Sequence, residues 1–131
     1  MLLVPASQSF ADTTDQRAIM VVMRGMFDQP NVDLVIGPIV VEGDFAVADW
    51  IQGDVGGRAF LRKDASSWTL VLCTGDEIRS AEALKASGVP TGTAERLASA
   101  IAEGEKGIPS DRLKTFASFQ GIARMKEQAQ H

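Results

Sequence analysis

Between Asp33 and Thr74, four apolar, β-rich runs are separated by three short segments of turn residues. That rhythm allows little except an antiparallel sheet. The first run, Asp33 to Val41, is interrupted by Gly37-Pro38, which suggests an edge strand or a bulge. Glu42-Gly43-Asp44 is a hairpin turn into the second run, Phe45 to Gln52. Alternation there puts Phe45, Val47 and Asp49 on one face and Ala46, Ala48 and Trp50 on the other. Gly53 to Gly57 reads as the next connection, and Arg58 to Lys63 as the third strand. Asp64-Ala65-Ser66 turns the chain into the fourth, where strict alternation groups Trp68 with Leu70 and Leu72, and Thr69 with Val71 and Cys73. Both of its faces are largely apolar, as in a strand covered on both sides.

Helical signals flank these strands. Thr13 and Gln16 have capping-box spacing, and Ile19, Val22, Met23, Met26 and Phe27 form one stripe that Pro30 ends. After the strands, Ala81 to Ser87 reads as a short helix stopped by Gly88 and Pro90. Thr93 is the expected cap of a longer helix with Ala94, Leu97, Ala98 and Ile101 inward, ending near Gly107. Ser110 is the expected cap of a last helix carrying Leu113, Phe116 and Phe119, with no regular element beyond residue 122. The expected class is α+β: an N-terminal helix, a four-stranded antiparallel meander curled over it as a cystatin-like or NTF2-like roll, then C-terminal helices. The 131 residues suit one globular domain, taken as 12–125, with 126–131 as a tail.

Residues 1–11, MLLVPASQSFA, are uncharged and end in small residues spaced for signal-peptidase cleavage before Asp12. They read as a signal-peptide remnant, so the expected protein is exported, and periplasmic in a Gram-negative host. A net charge of −4 with 13 basic residues argues against a nucleic-acid surface. No segment reaches the ~20 apolar residues of a membrane span.

The candidate chemistry is sparse. His131 is the only histidine and the last residue, which argues against Ser-His, Cys-His and His-ligated zinc sites. Asp44, Asp54 and Asp76 are explained by turns. Asp49, on an apolar face, is either an acid or base in a small-ligand pocket, or a carboxylate at the rim or paired with Arg58 or Arg62. Gly53, Gly56 and Gly57 join strand to strand and form no phosphate-binding fingerprint. Trp50 and Trp68 are sheet-face anchors or, alternatively, binding residues of that pocket. Cys73 is the only thiol, so it is a buried apolar filler or a reactive or metal-binding group. Met20, Met23 and Met26 sweep about 300° of a helix at 3.6 residues per turn, so they cannot readily share an ion. Met23 and Met26 fall on the apolar stripe, and Met20 does not.

The stretches Asp49-Trp50-Ile51-Gln52-Gly53, Gly56 to Arg62, and Trp68 to Asp76 with its L-C-x-G-D ending resemble bacterial copper uptake system-associated proteins. Gly88-Val89-Pro90, Phe116 to Phe119 and Gly121 to Met125 fit the same pattern, so the resemblance covers most of residues 13–125. Phe60 stands where many relatives have Leu. The resemblance implies a small exported protein encoded near periplasmic copper chaperones and serving copper acquisition or delivery. The chain has none of the His/Met-rich or C-x3-C sites of a dedicated copper carrier. The expected function is a non-enzymatic accessory that docks a periplasmic copper chaperone or binds the copper ion weakly. The Cu(I) ligands would be Cys73 with Met125 or Met20. The alternative is a small roll-fold enzyme or ligand binder using Asp49, Trp50 and Trp68.

Overall fold

The computed structural model describes residues 6–29 and 31–125, with side chains from Thr14 onward. The expectations for Pro30, His131 and the 126–131 tail therefore lie outside the described residues, and Thr13 falls inside a helix rather than at its start. Helix α1 (Ala6–Phe27) begins upstream of Thr13. Gln16, half of the expected capping box, is inside the helix and its side chain donates instead to the Ile39 carbonyl at 2.9 Å.

Five strands follow the chain order in a single antiparallel sheet: β1 (Leu34–Glu42), β2 (Phe45–Gln52), β3 (Val55–Asp64), β4 (Ser67–Thr74) and β5 (Ile122–Arg124). Between β4 and β5 come a 3₁₀ turn (Glu77–Arg79) and helices α2 (Ala81–Ala86), α3 (Thr91–Gly104) and α4 (Ser110–Ala117). The class is α+β. Helices α3 and α4 start after Pro90 and Pro109, which serve as the caps in place of Thr93 and Ser110. Proline is suited to this boundary because it cannot continue a helix backwards.

The sheet separates two apolar layers. On one face Ala46, Ala48, Trp50, Ala59, Leu61, Trp68, Leu70 and Cys73 pack against Ile19 and Met23 of α1. On the other face Val47, Phe60 and Leu72 pack against Ile78, Leu84, Val89, Ala94, Leu97 and Ile101. Helices thus cover both faces, where the sequence suggested a sheet curled over α1 alone.

Four further differences have local causes. Gly56 and Gly57 belong to β3 rather than to the connection before it. A Cβ on Gly56 would sit 2.6 Å from the Trp50 carbonyl oxygen, and one on Gly57 3.0 Å from the Phe119 ring. These glycines admit backbone and side chains that pack against the strand. Between β3 and β4, Phe60 pairs with Leu72 but Leu61 pairs with Leu70, leaving Val71 as an extra residue. This bulge reverses the alternation, so Cys73 shares the α1 face with Trp68 and Leu70 while Leu72 faces α3. β5 pairs Ile122–Arg124 with Thr74–Leu72, where no regular element was expected. Met26 is 54% exposed, outside the core its stripe position suggested.

The expected break in β1 is present: the register shifts between Ile36 and Ile39, across Gly37-Pro38. At the β3–β4 turn, Ala65 and Ser66 have φ of 47° and 74°. That is the two-residue hairpin geometry in which non-glycine residues are strained.

Candidate functional site

On the α3 side of the sheet, strand pairing places Asp49 of β2 directly opposite Arg58 of β3. Arg58 is 1% exposed and Asp49 2%. Glu105, immediately after α3 and 4% exposed, closes over them. Arg58 donates from Nε to Glu105 Oε2 at 2.8 Å and from Nη2 to Oε1 at 3.0 Å, a two-pronged pairing matched to a carboxylate. Its Nη1 donates to the Gly75 carbonyl and to Asp76 Oδ1, each at 2.9 Å. The guanidinium also lies over Phe116 of α4, 5.6 Å from the ring centre. One cation therefore ties together β3, the loop after β4, the end of α3 and α4.

Asp49 receives little from this cation. Its Oδ1 is 3.7 Å from Arg58 Nε, whose hydrogen is directed to Glu105, and its Oδ2 has no partner among the described residues. Burial first, then the hydrogen bond and negative charge of Glu105, push the Asp49 carboxyl up to about 9, against the pull of Arg58 and Arg79. Burial thus favours the neutral form of Asp49 at pH 7. For Glu105, burial acts upward. The hydrogen bonds to Arg58 and Asp49 and the nearby guanidinium charges outweigh it and hold the carboxyl below its ordinary range. Burial would also depress Arg58, but Glu105, Asp49 and Asp76 keep it firmly charged.

Above this cluster is a cleft of about 450 Å³. Arg58, Asp76 and Glu105 line it together with Arg79, Lys106, Lys114, Ala102, Leu113 and Ala117. Arg79 reaches Glu105 Oε1 at 3.6 Å from the rim. Gly75 is required at this corner, because a Cβ there would lie 2.7 Å from the Ala117 oxygen and 2.8 Å from the Phe119 oxygen.

Trp50 and Trp68 are on the opposite face, so the pocket expected to join them to Asp49 is not formed. Trp50 stacks on Phe27 at 4.8 Å and meets Phe119 edge-on at 6.1 Å. Trp68 Nε1 donates to Asp15 of α1 at 3.2 Å, and Lys63 lies over its ring. Both rings anchor α1 and the C-terminal segment to the sheet. Arg62, the other expected partner of Asp49, is exposed and pairs with Asp64.

The sulfur residues lie on the α1 face as well. Cys73 is 1% exposed, and burial pushes its thiol up to about 11, opposed weakly by the nearby Trp50 indole N–H. Met20 and Met125 are partly buried and pack on the same cluster as Cys73, so Met20 contributes to the core it was expected to miss. Ala123 of β5 pairs with Cys73, and the Met125 N–H donates to the Val71 carbonyl at 2.9 Å. Among the described residues no three or more His, Cys, Asp or Glu side chains are grouped to hold a metal ion. No helix among them is long and apolar enough to cross a membrane.

Glu105, Arg79, Lys106 and Lys114 were not singled out from sequence. Beyond their place in the resemblance stretches, Arg58 was visible as a possible ion-pair partner and Asp76 as a turn residue. Arg58 carried a signal, since it alternates with Phe60 on a face that strand pairing sets against Asp49. Comparison of the chain with protein-family models, with curated proteins and with solved structures finds no match.

Proposed function

We propose that this protein is a non-enzymatic, exported accessory of copper uptake or delivery in the periplasm. Its expected partner is a periplasmic copper chaperone, which it docks, or Cu(I), which it binds weakly. The observation that carries the copper part is the placing of Cys73, Met20 and Met125 on one apolar cluster. Thioether and thiol sulfurs are soft donors suited to Cu(I). Weak affinity follows from burial, because the ligand form of Cys73 is the thiolate and the thiol is held up to about 11. Export rests on the composition of residues 1–11, and the copper context on the motif resemblance. For the architecture, α1 packed on one sheet face supports a cystatin-like or NTF2-like roll. The fifth strand and the second helical layer depart from the four-stranded form.

The test is a competition titration against a Cu(I) chromophore with wild type, Cys73→Ala and Met125→Leu. Affinity reduced in both variants supports direct ligation. Equal, negligible affinity in all three removes ligation and leaves chaperone docking, to be measured by co-sedimentation with the chaperone. A second reading, a small-ligand binder, is favoured by the cleft of about 450 Å³ above Arg58 and Glu105. It predicts saturable ligand binding that Arg79→Ala weakens and Cys73→Ala leaves unchanged.

A further inference from the structure

We propose that Asp49 and Glu105 hold one proton between them, and that its loss makes Arg58 exchange Glu105 for Asp49, swinging the Glu105 carboxylate into the cleft. Copper plays no part in this exchange. The charges buried on the α3 side of the sheet do not balance. One guanidinium and two carboxyl groups, Arg58, Asp49 and Glu105, are each at most 4% exposed. The donors of Arg58 are committed to Glu105, Gly75 and Asp76. Asp49 Oδ2 is left without a donor. Two carboxylates sharing a buried site with one committed cation cannot both ionise, so one keeps its proton. Asp49 is that one, because Glu105 has the guanidinium.

The charged groups around the pair determine which carboxylate moves once the proton is lost. Asp49 projects from β2 and faces Arg58 of β3. Asp76 and Arg79 approach from the loop and 3₁₀ turn after β4. Glu105 and Lys106 come after α3, and Lys114 belongs to α4. Asp49 is held in the middle of a strand and cannot leave. Glu105 sits just past a helix end, lines the cleft, and already has Arg79 3.6 Å away on the solvent side. An ionised Asp49 therefore displaces Glu105 toward Arg79 and Lys106, and Arg58 Nε, now 3.7 Å from Asp49, closes on it. The result is a two-position carboxylate at the end of α3, set by one proton.

Side-chain carboxyl ¹³C resonances of Asp49 and Glu105, followed by NMR against pH, test this directly. The expected result is a protonated Asp49 at neutral pH that loses its proton well above the ordinary carboxylate range, with Glu105 shifting in the same step. Asp49→Asn, which mimics the protonated acid, should stay folded and abolish the alkaline step at Glu105. Glu105→Gln should lower the proton affinity of Asp49 at least tenfold. Asp49 titrating in the ordinary range, or an unchanged Glu105 step in Asp49→Asn, would overturn the proposal. If Asp49→Asn fails to fold, the wild-type titration of both resonances decides alone.

Discussion

Replacing Arg58 with Met should cost about 3–5 kcal/mol of stability, the range for breaking a buried pair by removing one partner. The structure divides that loss unevenly. Two hydrogen bonds to Glu105 at 2.8 and 3.0 Å disappear inside the protein, where bonds to charged groups are worth ~1.5–3 kcal/mol each. The bond to Asp76 contributes little, because that side chain is 62% exposed and rehydrates. The Gly75 carbonyl loses its donor too. Glu105 then escapes as a buried anion by taking up a proton, which limits the total. Since Arg58 lowers the Glu105 pKa, this part of the stability is present above the unfolded carboxylate range and fades as pH falls through the lower folded value. The deficit of Arg58→Met should therefore shrink in acid. Urea unfolding at pH 7 and pH 4 measures both effects. The triple variant Asp49→Leu/Arg58→Met/Glu105→Leu should regain most of the loss, since apolar replacement of a whole buried ionic group is often neutral or better. A single variant within about 1 kcal/mol of wild type at pH 7 would refute the reasoning, because it would mean Arg58 is not the bond between sheet and α3 that its hydrogen bonds indicate.

Other outcomes rest on the same geometry. The Asp49 carboxyl is raised from 3.8 to about 9, so the native state keeps a proton the unfolded chain releases, and stability should decline as pH rises through that window. Asp49→Asn should flatten the decline in a pH series of thermal melts. Gly75→Ala forces a Cβ to 2.7 Å from the Ala117 oxygen and should cost ~1–3 kcal/mol, as overpacking does, seen as a lower Tm. Ala65→Asn with Ser66→Gly relieves two positive-φ residues and should add ~1 kcal/mol. The Cys73 thiol should react with a disulfide reagent only at the rate of unfolding.

The sheet was largely legible because period-two alternation and hairpin turns report on the backbone directly. Glu42-Gly43-Asp44 and the Gly37-Pro38 break are both where their chemistry predicts. What stayed hidden depends on contacts distant in sequence. Gly56 and Gly57 resemble a loop until Thr115 and Phe119 are seen packing against them. The three residues of β5 carry no strand signal and gain their pairing only from the edge of β4. In the site, alternation exposed Asp49 and offered Arg58 as its partner. Glu105 was invisible because it lies 47 residues from Arg58, after a helix whose pattern says nothing about its last carboxylate. Cys73 was assigned to the wrong face for a single reason, the extra residue at Val71.

That extra residue acts as a phase shifter. Before it, Trp68 and Leu70 read in frame with the α1 core; after it, Leu72 reads in frame with the α3 core while Cys73 returns to α1. A regular strand through the same residues would turn Leu72 toward α1 and Cys73 toward α3, so both cores depend on the shift. Deleting Val71 removes the extra count. Plain alternation then leaves Trp68, Leu70 and Cys73 on one side and Leu72 on the other, as they are now. The shortened strand would lose the half-buried Val71 side chain and the carbonyl that accepts from Met125. Removing one residue from a buried strand ordinarily sends every later side chain to the wrong face. In β4 there is one position where that rule is suspended, and the pairing of β3 with β4 marks it.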